Sequence, residues 1–213
     1  MHLDILLEVL QEALNRPLPG RESHLRMSPL PIDVRRFTTP LPQAHKKSAV
    51  LILFYPREQG VFFPLIKRPS YPGIHSDQVG FPGGKVEPED PDVTFTALRE
   101  AQEEIGIDAS KVEVLGSLSD LYIPSSSFLV TPVLGFMTET PRFVPDEREV
   151  SRIIPTQLTS LFQQELKKHT QLQVGKGLEL YTPYFDISGE VVWGATAMIL
   201  SELIDLLDQK RMP

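Results

Sequence analysis

Leu3, Leu6, Leu7, Leu10 and Leu14 recur at helical spacing along residues 3–14 (LDILLEVLQEAL). This predicts an amphipathic helix, stopped by Pro17, Leu18, Pro19 and Gly20. Residues 21–47 are polar and Pro-rich, without a clear period, and predict an extended, wrapping connection. Two apolar runs, 48–55 and 61–67, flank Pro56-Arg57-Glu58-Gln59-Gly60, the pattern of a β-hairpin. The stretch 70–84 is rich in Gly, Pro and Ser and predicts a loop. Asp92 or Thr94 can cap a following helix that runs to about Ile105 and stops at Gly106.

Further along, 112–118 and 128–137 predict strands, with Pro132 limiting the pairing of the second. Residues 138–149 predict a loop with four acids, Glu139, Asp146, Glu147 and Glu149. A short strand over 152–154 and a helix near 156–166 follow. Residues 178–185 and 190–193 predict a closing hairpin that turns at Ser188-Gly189. A last amphipathic helix covers 195–207, with Ile199, Leu203, Ile204 and Leu207 as its core stripe.

At 213 residues and 41% apolar, the chain suits one domain with a small appendage. A net charge of -7 argues against nucleic acid or an anionic membrane as partner. It leaves an anionic substrate open, because a bound cation can supply the positive charge that side chains lack. There is no cysteine, hence no zinc-thiolate site or cysteine nucleophile, which fits a reducing cytoplasm. No apolar run approaches a membrane span, and Asp4 and Glu8 exclude a basic signal-peptide start. The 3–14 helix is therefore expected to dock on the domain or on a second copy in a homodimer.

The chemistry concentrates in residues 83–107, GGKVEPEDPDVTFTALREAQEEIGI. Glu100, Glu103 and Glu104 share one helix face at i, i+3 and i+4. Like charges at that spacing repel by a few tenths of a kcal/mol per pair. A solvated surface tolerates this, but a hard divalent cation gives a reason for it. Mg²⁺ takes carboxylate oxygens, keeps several waters and is completed by substrate phosphates. Glu100 and Glu104 can grip one ion, and Glu103 suits a second ion or its water shell. Gly84 can hold a backbone geometry closed to other residues and turn its carbonyl toward a metal. Arg99 can orient the carboxylates through its forked guanidinium.

This segment resembles the Nudix box, G-x5-E-x7-R-E-U-x-E-E-x-G-U with U aliphatic. The matching residues are Gly84 and then Arg99-Glu100-Ala101-Gln102-Glu103-Glu104-Ile105-Gly106-Ile107. Asp90 stands where the box has Glu, and Arg99 comes one residue late. Both features resemble the coenzyme A pyrophosphatase-like branch, whose upstream signature ends in G-Q-V-x-F-P-G-G. The corresponding stretch is Asp77-Gln78-Val79-Gly80-Phe81-Pro82-Gly83-Gly84, preceded by Arg68 and His75. Asp77 replaces the usual Gly, and Pro72-Gly73-Ile74 replaces the usual Leu-Arg pair. Leu121-Tyr122-Ile123-Pro124, Val130-Thr131-Pro132-Val133 and Trp193-Gly194-Ala195-Thr196-Ala197 are also similar to this branch.

The resemblance implies a Nudix α/β/α sandwich over residues 46–213, a mixed sheet between helices, with residues 1–45 as an N-terminal helical extension. It implies Mg²⁺- or Mn²⁺-dependent hydrolysis of a nucleoside diphosphate linked to another moiety. The substrate it favours is coenzyme A or a derivative, cut to 3′,5′-ADP and a phosphopantetheine product. Metals would polarise the pyrophosphate and activate a water. Glu100, Glu103, Glu104 and the Gly84 carbonyl would hold them, Arg99 would assist, and Glu149 of the acidic loop would be the base. Arg68, His75, Gln78, Phe81 and Lys85 would contact substrate. Two other readings stay open: another Nudix substrate such as ADP-ribose, a dinucleotide or a nucleotide sugar, and a non-catalytic nucleotide-sensing domain.

Overall fold

The computed structural model describes residues 1–38, 40–42, 44–58, 60–70, 77–174 and 177–208. The chain opens with α1 (Leu3–Leu14), as its leucine spacing predicts, and Leu6 and Leu10 are fully buried. Each such leucine contributes about 1.5–3 kcal/mol by leaving water. The next residues depart from the predicted extended connection: Arg21–Arg26 form a short helix, α2. Nothing in RESHLR has an apolar period. The helix exists because its residues meet a buried acid far along the chain. Glu202 accepts hydrogen bonds from Gly20 N (3.1 Å) and Ser119 N (3.2 Å), and its other oxygen lies 2.8 Å from His24 Nε2. Ser23 bonds Asp205 one helical turn further on.

The predicted hairpin is β1 (Lys46–Arg57) and β2 (Gly60–Lys67), paired antiparallel with Tyr55 opposite Phe62. The stretch expected to be all loop contains β3 (Val79–Gly80) and β4 (Gly83–Lys85). β4 lies against β1 with Gly84 opposite Ala49. Then come α3 (Val93–Ile105), β5 (Glu113–Ser117), β6 (Leu121–Ile123) and β7 (Phe128–Phe136). β7 runs parallel to β1 along its length, so the eight-stranded sheet is mixed. Pro132 sits where the neighbour of β7 changes from β6 to β5, so its missing N–H removes no ladder bond that either strand needs.

β8 (Arg152–Gln157) pairs with β2. The helix predicted near 156–166 is two short 3-10 turns, Leu158–Phe162 and Gln164–Leu166. Buried Leu158 and Leu161 are three apart, the repeat of a 3-10 turn. A small sheet follows: β9 (Lys167–Val174), β10 (Leu178–Ile187) and β11 (Glu190–Val192). The closing hairpin was legible; β9, a mostly polar run (KKHTQLQV) whose apolar residues are Leu172 and Val174 alone, was not. The chain ends in α4 (Gly194–Asp208).

Alternation along β1 sorts the core into two layers. Ala49, Leu51, Leu53 and Tyr55 pack with Ala97, Ala101 and Ile105 of α3. Ile52 and Phe54 face the other way, into a cluster with Leu6 and Leu10 of α1 and Leu200 and Leu203 of α4. The result is helix, sheet, helix. Among the described residues no helix is long and apolar enough to cross a membrane.

Candidate active site

α3 is positioned by both of its ends. The Asp92 side chain accepts from Phe95 N at 2.8 Å, and Gly106 closes the helix at φ 69°. Its last carbonyls are used by the acidic loop: Val144 N donates to Ile105 O (2.9 Å) and Asp146 N to Glu104 O (3.0 Å). The loop carrying Glu149 is thereby stitched to the helix carrying the other acids. Glu149 itself is exposed, yet its charge is felt at both Glu100 and Glu104.

The two glycines of the turn do different work. Gly83 has φ 151° and packs on β1, where a Cβ would lie 2.5 Å from Val50 Cα. Gly84 has no such φ. A Cβ on it would lie 2.5 Å from Glu100 Oε1. The expected special backbone geometry therefore belongs to Gly83, whereas Gly84 is glycine to make room for a carboxylate.

Glu104 is 1% exposed. It accepts from Gly83 N at 2.7 Å and pairs with Arg68 Nη2 at 3.2 Å. Burial pushes its pKa up to about 7, with Glu100 and Glu149 adding to the rise and Arg68 and Gly83 N–H opposing it. Glu100 is also raised, by burial first, against the pull of Arg99 and with repulsion from Glu103 and Glu149. Glu103 is exposed at the rim, 3.2 Å from Arg99 Nη1.

Arg99 holds this group together, and Asp90 holds Arg99. The guanidinium gives Nε to Asp90 Oδ1 and Nη2 to Oδ2, both at 2.9 Å. Its Nη1 reaches Glu100 Oε1 at 3.0 Å, and Nη2 also donates to the Lys85 carbonyl at 3.2 Å. Asp90 in turn accepts from Glu87 N and Thr96 Oγ1. The guanidinium fork depresses the Asp90 pKa far below the carboxylate range and raises that of Arg99. The Asp at the box's Glu position is thus a clamp for Arg99, which sequence reasoning noted as a departure without finding its role.

Beside the acids opens a cavity of about 720 Å³. Arg68, Gln78, Phe81 and Lys85 all line it, with Gly83 and Gly84 at the helix side. Arg68 is shared with Glu104 and the Gly83 carbonyl, and Lys85 with Glu87. Phe81 is 4% exposed and packs on Phe63. Lys67, another cation that phosphates could attract, is committed to Asp77 and Glu190 at 3.1 Å each. Asp77 has φ 58°, a conformation that asks for Gly or a short polar residue. This explains Asp where the signature has Gly. His75 lies outside the described residues, as do Pro72, Gly73 and Ile74. Trp193 lines it as well, as do Ser28, Pro29, Pro31, Ile32, Asp33, Arg35 and Arg36, a stretch to which no motif had pointed.

The NUDIX domain family matches residues 45–171. The chain belongs to the Nudix family. A Nudix hydrolase of Yersinia enterocolitica named NudL, itself uncharacterized, is 36% identical over 157 residues, covering 73% of this chain and 78% of that protein. NudL of Yersinia pestis is 32% identical over 186 residues, covering 80% and 90%. The structure of the Nudix hydrolase RenU from M. smegmatis matches with TM-score 0.54 at 14% identity, covering 79% of this chain and 88% of RenU, a likeness of fold. This Nudix enzyme is a hydrolase of nucleoside diphosphate derivatives, and Nudix hydrolases generally use divalent metals.

The residues fit such a metal. Two carboxylates, one half-buried and one fully buried, are raised by desolvation and mutual repulsion despite two arginines. A glycine cradle keeps space around one of them. Hard oxygen donors of this kind suit a hard divalent cation. Among the described residues no three acids or histidines are already drawn together as an ion cage; Arg68 and Arg99 hold the acids instead.

Proposed function

We propose that this Nudix hydrolase cleaves the pyrophosphate of coenzyme A or a derivative, giving 3′,5′-ADP and a phosphopantetheine product. The observation that carries the reading is the course of residues 78–84. The stretch similar to the coenzyme A branch is also the wall that joins the large cavity to Glu100 and Glu104. Trp193, Gly194, Ala195 and Thr196, also similar to that branch, line the same cavity, and Thr196 Oγ1 ties down Val79 O at 3.1 Å.

Glu100, Glu103 and Glu104, with the Gly84 carbonyl, are the residues that would hold Mg²⁺ or Mn²⁺. A cation held there would neutralise pyrophosphate charge and lower the pKa of a bound water. Arg99, fixed by Asp90, keeps Glu100 and Glu103 in place. Glu149, close enough to both inner acids to raise their pKa values, takes the proton from the attacking water. Gln78, Phe81 and Lys85 contact the substrate half that enters the cavity, as does Arg68 with whatever donor capacity Glu104 leaves it. The presence of all three box acids favours catalysis over a sensor role.

A product-resolved screen with Mg²⁺ across coenzyme A, acyl derivatives, ADP-ribose, dinucleotides and nucleotide sugars tests this. Coenzyme A or an acyl derivative should be turned over best. Faster cleavage of ADP-ribose or a dinucleotide refutes the substrate assignment while leaving the metal site intact.

A further inference from the structure

Two of the arginines that line the cavity come from neither the box nor residues 78–84. The turn Val34–Phe37 brings Arg35 and Arg36 to its wall, next to β6. The two arginines are not equivalent. Arg35 is exposed and gives Nε and Nη2 to the two oxygens of Asp33, at 2.9 and 2.7 Å. That fork occupies the neighbouring carboxylate. Arg36 turns inward, and its Nη1 is buried without a hydrogen-bond partner among the described residues. Ser126 also lines the cavity, and its Oγ is buried without a hydrogen-bond partner among the described residues too.

Buried donors of a charged group are rarely left unmatched, because the loss of water is uncompensated. Burial also pulls the Arg36 pKa below its ordinary value, opposed only by Asp33. A guanidinium is donor-only, planar and weakly hydrated, which matches phosphate oxygens better than any neutral group. The walls of the same cavity also include Ile123, Phe128 and Trp193, apolar surfaces suited to a nucleoside. The pyrophosphate is accounted for at the acids, so an anion at Arg36 must be a second one on the same molecule.

We propose that Arg36, assisted by Ser126, is the subsite for a phosphate monoester on the part of the substrate that fills the cavity. On the coenzyme A reading, on which this assignment rests, that group is the 3′-phosphate of the adenosine half. Arg36 is then the residue that tells a 3′-phosphorylated substrate from one without it.

The test is metal-free calorimetric titration of the full chain with adenosine 3′,5′-bisphosphate and with adenosine 5′-monophosphate. The wild type should bind the bisphosphate about tenfold more tightly or better, the yield of one charge-assisted contact. In Arg36→Gln the ratio should fall to near one, and Arg36→Lys should keep part of it. A wild-type ratio near one, or an unchanged ratio in Arg36→Gln, overturns the assignment. If Arg36→Gln does not fold, Ser126→Ala decides: a ratio lowered a few-fold supports the subsite, and an unchanged one overturns it. Because no turnover is read, the result is independent of the substrate screen. Discrimination without coenzyme A cleavage would refute that reading alone, and cleavage without discrimination would refute the subsite alone.

Discussion

Alanine at each of the two adjacent glycines should separate stability from chemistry. At position 83 the new Cβ would lie 2.5 Å from Val50 Cα and also press on the Ala49 carbonyl, backbone atoms of β1 that cannot step aside. The φ of 151° adds strain of its own. Left-handed strain of about 1–2 kcal/mol and overpacking of about 1–3 kcal/mol give a loss of roughly 3 kcal/mol. For a chain of this size that lowers Tm by about 6–12 °C. At position 84 the Cβ would lie 2.5 Å from Glu100 Oε1, about 1 Å inside ordinary contact. That atom ends a side chain, so the carboxylate swings away at a cost under about 1 kcal/mol. A catalytic group displaced by about 1 Å loses on the order of 10²-fold in rate, about 2.7 kcal/mol of barrier. Thermal melting and kcat/KM for coenzyme A at saturating Mg²⁺ read the two effects. A fully active Gly84→Ala, or one as unstable as Gly83→Ala, refutes the cradle.

Three further outcomes follow from the same contacts. Glu104→Gln keeps an oxygen for Gly83 N–H but removes a buried charge; turnover should fall by about 10² or more, the gain in Tm on adding Mg²⁺ should vanish, and metal-free stability should hold or rise. Asp90→Asn loosens the fork on Arg99 and should lower kcat/KM about 10–100-fold without unfolding the chain, measured beside a melting curve. Glu202→Gln loses the His24 contact and should cost about 2–3 kcal/mol at pH 7, seen in urea titrations. Burial alone would raise the Glu202 pKa, yet the His24 and Ser119 hydrogen bonds outweigh it and hold it below 4.5. A depressed carboxylate stabilises above its unfolded value and loses that contribution as pH falls through its folded value. The gap between wild type and Glu202→Gln should therefore close below about pH 4.5.

What the sequence carried by itself is what neighbours in the chain decide. The box helix was legible because its cap at Asp92, its stop at Gly106 and the shared face of Glu100, Glu103 and Glu104 are local geometry. The β1–β2 hairpin and α1 were legible for the same reason, a period written in consecutive residues. Tertiary structure decided the rest. α2 rests on Glu202, about 180 residues away, and β9 on its pairing with β10. Asp90 became a clamp because Arg99 folds back onto it, and Gly84 a cradle because Glu100 lies above it. The N-terminal wall of the cavity, with Arg36 turned inward, was invisible in a Pro-rich stretch without period. Local pattern specifies elements and the residues that share their faces. Which distant atom fills the space beside them is set by packing, and the roles of Asp90, Gly84 and Arg36 are of that second kind.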